Sequence, residues 1–66
     1  MQTKSISEIT EGLIGRGETE QSIADKVTAK GVKVTQGTIN RIRNGVIREP
    51  RYSLGAVLIE LYEDAQ

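Results

Sequence analysis

Cysteine and histidine are both missing from this 66-residue chain, and so are phenylalanine and tryptophan. The absence of thiols excludes disulfide staples and thiol nucleophiles. Without imidazoles as well, zinc-finger ligand sets and histidine bases are gone too. There are two tyrosines, too few for an aromatic ligand cage. The longest unbroken apolar run, Ala56-Val57-Leu58-Ile59, falls far short of the roughly 20 residues that cross a bilayer, and no apolar signal core opens the chain. A soluble cytoplasmic protein is expected, with no membrane partner, no cofactor, no metal and no small-molecule ligand.

What is present suits one small core. Apolar residues make up 36% of the chain, mostly isoleucine, valine and leucine. A chain of this size buries only about 60% of the surface that its unfolded form exposes. One domain spanning residues 1–66 is therefore expected, with marginal stability.

The formal net charge is zero, which at first argues against a polyanionic partner. The distribution reverses that impression. Met1 to Asp25 carries two basic and five acidic residues, Lys26 to Arg51 carries seven basic residues against Glu49 alone, and Tyr52 onward has three acids and no base. A central basic block is by default a solvated surface, but it is also the electrostatic footprint that phosphate binding requires.

Apolar spacing and capping residues predict four to five short helices. Ser5-Ile6-Ser7-Glu8 fits a capping box, Ile6, Ile9, Leu13 and Ile14 follow at helical spacing, and Gly15 and Gly17 offer a stop. Thr19 caps a second helix from Glu20 to about Lys30, with Ile23, Ala24 and Val27 on one face and Gly31 as the terminator. Thr35 caps a third, whose apolar positions are Ile39 and Ile42 and which ends at Asn44-Gly45. Pro50 excludes helix through the connection at Val46 to Arg51. Tyr52, Ser53 and Val57 match a hydrophobic staple around a serine cap, and Leu54, Val57, Leu58 and Leu61 line one face of a last helix. An alternative stays open at the C-terminal end: Val46-Ile47 and Ala56 to Ile59 as strands of a hairpin turning near Ser53-Leu54-Gly55, which would make a winged helix.

The third helix carries the chemistry. At about 100° per residue, Thr35, Ile39 and Ile42 point one way while Gly37, Asn40, Arg41 and Asn44 point the other. Arginine can bond guanine O6 and N7 together, asparagine and glutamine can do the same for adenine N6 and N7, and the B-form major groove admits a helix. Gln36, in the first turn, can reach a base or the backbone. The strip has no acid and lies at the centre of the basic block. Gly37 costs about 1 kcal/mol relative to alanine inside a helix, either to let a partner approach the backbone or to let two helices pack closely. Lys30, Lys33, Arg43, Arg48 and Arg51 are candidates for phosphate contact around it.

"TEQSIADKV" followed by "VTQGTINRIRNG" resembles the helix-turn-helix of the phage lambda repressor and Cro class, including small phage and prophage regulators that end this unit in Asn-Gly. "PRYSLGAVLIELYED" resembles their terminal helix. The likeness spans roughly residues 19 to 64 and rests on Ala24, Val34, Thr35, Gln36, Ile39, Ile42 and the Asn-Gly end falling in register. It implies an all-α bundle in which Gln36, Gly37, Asn40 and Arg41 face the bases, Asn44 holds a phosphate, and the first turn of helix two touches the DNA backbone through Gln21. The full phosphate set is then Gln21, Lys33, Thr35, Arg43, Asn44, Arg48 and Arg51. Two departures stand out: Glu20 replaces a first-turn glutamine, and "TAKGVK" stands between Val27 and Val34 where the family usually keeps a single glycine. "IADKVTAKGVKVTQGTINR" also resembles the equivalent stretch of arginine-repressor winged helices, which places the same third helix in the groove.

The resemblance implies a sequence-specific transcriptional regulator of double-stranded DNA, a Cro-like repressor in the cytoplasm of a bacterial host, associated with its nucleoid. One short helix reads about four base pairs, so a homodimer on a palindromic operator is expected, with its half-sites about one helical turn apart. Ile59 and Tyr62 are candidate dimer contacts or core residues. The alternative is a protein-interaction module or antitoxin using the same fold. An enzyme is not expected, because acid pairs such as Glu8 with Glu11 or Glu60 with Asp64 sit at ordinary surface spacing with no nucleophile beside them.

Overall fold

Four α-helices follow one another in the computed structural model, which describes residues 5–64: α1 (Ile6–Gly15), α2 (Glu20–Ala29), α3 (Gln36–Arg43) and α4 (Tyr52–Asp64). Three of the starts are set by hydroxyl caps. The Ser5 hydroxyl accepts from the Glu8 backbone N–H while the Glu8 carboxylate reaches back to the Ser5 N–H. Thr19 and Ser22 make the same reciprocal pair at α2, and Thr35 accepts from the Thr38 N–H at α3. Each cap satisfies a helix-end donor that would otherwise lack a partner.

The helices converge on one core. Ile9, Leu13, Ile23, Ala24, Val27, Ile39, Ile42, Leu54 and Leu58 are buried, and Ile6, Ile14, Val57 and Leu61 pack against them half-buried. These are the apolar positions that helical spacing singles out. α1 packs on α3 and α4, and α2 packs on α3. Short α3 is held by Ile39 and Ile42, both fully buried, each stabilising by about 1.5–3 kcal/mol. A polar tether adds to this, because the Ser7 hydroxyl of α1 donates to the Arg43 carbonyl at 2.9 Å and satisfies one of the free acceptors at the end of α3.

The turn before α3 is long but anchored. Gly31 takes φ 99°, a left-handed conformation that a side chain would strain. That lets the Val32 N–H return to the Val27 carbonyl at 3.3 Å and the Gly31 N–H to Thr28 at 2.9 Å. Val32 and Val34 then pack onto the core, and the Thr28 hydroxyl donates to the Val34 carbonyl at 3.3 Å. The extra residues thus pack half-buried Val32 on the core instead of looping free.

At the C-terminal end the expected last helix forms, the hairpin alternative is overturned and the serine cap is corrected. The hairpin does not form: among the described residues there is no strand, and Ala56 to Ile59 lie inside α4. Ser53 is not a cap either. Helix begins one residue earlier at Tyr52, directly behind Pro50 and Arg51, with the Gly55 N–H bonding the Arg51 carbonyl at 3.1 Å. Tyr52 is 90% exposed, so it makes no staple with Val57. Among the described residues, no helix is long and apolar enough to cross a membrane.

Candidate functional site

α3 turns Ile39 and Ile42 inward and leaves Gln36, Asn40, Arg41 and Asn44 exposed, with Gly37 half-buried between them. A Cβ placed on Gly37 would meet only the Thr35 Oγ1, at 3.9 Å. No neighbouring helix approaches, so the close-packing explanation for this glycine is excluded. The fold accepts a helix-interior glycine that it does not need.

The outer side of α3 is tied to one carboxylate on α2. Glu20, with a side chain 14% exposed, accepts from the Gln36 amide, from the Asn40 Nδ2 at 3.0 Å and from the Arg43 Nη1 at 3.2 Å. The Asn44 amide in turn donates to the Asn40 Oδ1 at 3.2 Å. An ionised carboxylate only accepts, so it fixes which end of each amide faces it: both Gln36 and Asn40 turn nitrogen toward Glu20. The Asn40 amide, the Arg43 guanidinium and the Gln36 amide hold the Glu20 carboxyl below its ordinary value of 4.5, while partial burial works the other way. The first-turn acid that departs from the family pattern is the hub of the network. Its signal in the sequence is an acid one helix upstream of a strip that offers only donors and amides.

Arg43 does not occupy the position expected of a phosphate contact. It is half-buried, pairs with Glu11 of α1 as well as Glu20, and both partners, Glu11 first, strengthen its hold on its proton. Nor are all the other cations of the basic block free. Lys26 pairs with Glu18, and Lys30 with Glu60 at 2.6 Å. Among the described residues, Lys33, Arg41, Arg48 and Arg51 make no side-chain hydrogen bond or ion pair. Lys33 precedes α3, Arg41 stands on its outer side, and Arg48 and Arg51 follow it. Gln21 is exposed and donates to Asp25 at 2.9 Å, and the Thr35 hydroxyl is engaged as the α3 cap. Among the described residues no cluster of acids or other ligating side chains could hold a metal ion.

No protein-family model, curated protein or solved structure matches this chain.

Tyr62, a candidate for dimer contact or core, packs half-buried against the core: its ring lies over Gly12 and under the Arg16 guanidinium, 4.2 Å from the ring centroid. Ile59, one turn before it on α4, lines an open apolar groove with Ile6, Pro50 and Tyr52, to which Arg48 and Glu49 also contribute.

Proposed function

We propose that this chain is a sequence-specific double-stranded DNA-binding regulator, with α2 and α3 acting as a helix-turn-helix and α3 entering the major groove. The observation that carries the proposal is the outer side of α3. It bears no acid, presents Gln36, Asn40 and Arg41, and holds a glycine for which the fold supplies no packing reason. A bare backbone between an amide and a guanidinium suits close approach to base edges. In this reading Arg41 is the free base reader, best matched to guanine, and Gln36 reads with the amide edge that Glu20 leaves open. Lys33, Arg48 and Arg51, joined by Gln21 and Asn44, lie along the phosphates. Thr35 stays a cap. Repressor action on a phage or prophage operator, inside a bacterial cell, completes the proposal.

A second copy belongs to the proposal, because one helix reads too few base pairs for useful specificity. The groove between Ile6, Pro50, Tyr52 and Ile59 suits it, because its wall is apolar and Tyr52 stands 90% exposed in the single chain. Two copies related by a two-fold axis would bury the same apolar patch on both, as a self-complementary contact requires. Sedimentation should show a dimer that Tyr52→Glu converts to monomer; a wild-type monomer at high concentration would reject this contact.

The test of DNA binding is a titration of labelled protein with mixed-sequence duplex. Amide resonances of residues 35 to 45 should shift first and most, and the effect should weaken as salt is raised. Unmoved resonances there would refute the proposal. A protein-interaction module is the second reading, favoured by the engagement of Gln36, Asn40 and Arg43 with Glu20 and by the exposed Tyr52. It predicts capture of one protein partner and no salt-sensitive duplex binding.

A further inference from the structure

Glu20 places a negative charge and a hydrogen-bond acceptor within the surface proposed to meet DNA, and three side chains of α3 already donate to it. Sequence-independent binding is electrostatic: phosphates attract cations, and each contact releases counterions. A carboxylate at that surface opposes this in two ways. It repels phosphate directly, and it holds Arg43, with Glu11 on the other side of the same guanidinium, away from any phosphate. Base edges are different competitors, because they offer donors and acceptors in fixed patterns that can replace the bonds Gln36 and Asn40 make to Glu20. A phosphate has only acceptor oxygens, and so offers the carboxylate no donor in exchange.

We propose that Glu20 is a positioning residue that acts as an internal competitor for α3, suppressing binding to random duplex more than binding to the cognate site. This inference rests on the DNA-binding reading and deepens it. The charged groups facing Glu20 are Arg43 on α3 and, through Arg43, Glu11 on α1. Asn40 and Gln36 complete its surroundings. Specificity then comes partly from lowering the background.

The experiment compares wild type, Glu20→Gln, Arg43→Met and the double variant on two duplexes, one of random sequence and one selected by the wild type from a random pool. Each affinity is measured at several salt concentrations, and each variant's melting is recorded. Glu20→Gln should bind random duplex about tenfold more tightly, with a salt slope steeper by about 1 as Arg43, left with the exposed Glu11 as its one acid partner, turns to a phosphate, and should gain less on the selected site. Arg43→Met alone should leave the wild-type slope unchanged, and in the double variant it should remove the extra slope. A steeper slope is not something that a merely structural role would produce. If Arg43→Met in the wild-type background lowers the slope by about 1, Arg43 already contacts DNA and the inference fails while DNA binding stands. Equal or weaker random binding by a folded Glu20→Gln protein also overturns it. A wild type that binds neither duplex refutes the DNA-binding reading itself and the inference with it.

Discussion

The ring of Tyr62 lies so close over Gly12 that a Cβ added to the glycine would stand 2.6 Å from Tyr62 Cε1. Retreat of the ring would disturb the Arg16 guanidinium, which stacks on it and donates from Nη1 to the Tyr62 carbonyl at 2.6 Å. Gly12→Ala should therefore destabilise the fold by about 1–3 kcal/mol, the usual cost of overfilling a packed site. Chemical denaturation measures this. In a Tyr62→Ala background the same substitution should cost almost nothing, and an equal cost in both backgrounds would show that the ring is not the obstacle.

Gly37 makes the opposite prediction for stability. Only Thr35 Oγ1, at 3.9 Å, stands near its missing Cβ, so Gly37→Ala should raise stability by about 0.5 kcal/mol, or about 2–4 °C in a domain of this size. If the glycine exists for a partner, duplex affinity should fall while the melting temperature rises. Stabilisation with unchanged DNA affinity would remove the main support for close backbone approach.

Arg41 and Arg48 should divide specificity from affinity. Arg41→Ala should cost about 1–3 kcal/mol on a selected site and relax preference at one base pair, whereas Arg48→Ala should weaken all duplexes alike. With Lys33, Arg48 and Arg51 on phosphates, the salt slope should be about −3 per protomer, and Arg48→Ala should make it shallower by about 1. Equal losses on selected and random duplex for both variants would contradict the division.

Acid should loosen the junction between α2 and α3. Donors from Asn40, Arg43 and Gln36 hold the Glu20 carboxyl below its ordinary value of 4.5, and Lys26 and Ser22 do the same for Glu18. Both groups bind protons more weakly when folded, so their contribution is fully present above pH 4.5. It is lost as pH falls from there through their lower folded values. Melting temperature followed from pH 7 to 3 should fall at the acid end, and Glu20→Gln should flatten part of that fall. An identical acid limb in the variant would mean that Glu20 is not among the responsible groups.

The core and three of the four helix starts could be read from the sequence because their causes are local. A serine or threonine followed by a donor at the right offset, and isoleucines at helical spacing, act over one or two turns. What could not be read depends on distance along the chain. Nothing local brings Glu20 to Asn40 or Glu11 to Arg43; the packing of α1 and α2 on α3 does that. The basic block misled for the same reason. Counting charges along the chain treats Lys26, Lys30 and Arg43 as free, although acids from other segments neutralise each of them. Ser53 misled because Pro50 sets the start of α4 just as well without a hydroxyl cap.

Among the described residues, all four helices contribute to a single set of nine buried apolar side chains, and none of those residues is aromatic. No helix keeps a private share of the interior, so none can detach while the other three remain ordered. Deuterium exchange of the deepest amides in α1, α2, α3 and α4 should therefore converge on one common opening event instead of sorting into early and late segments. The same thinness means that a tight DNA complex would slow that exchange everywhere at once, including in helices that never come near the duplex.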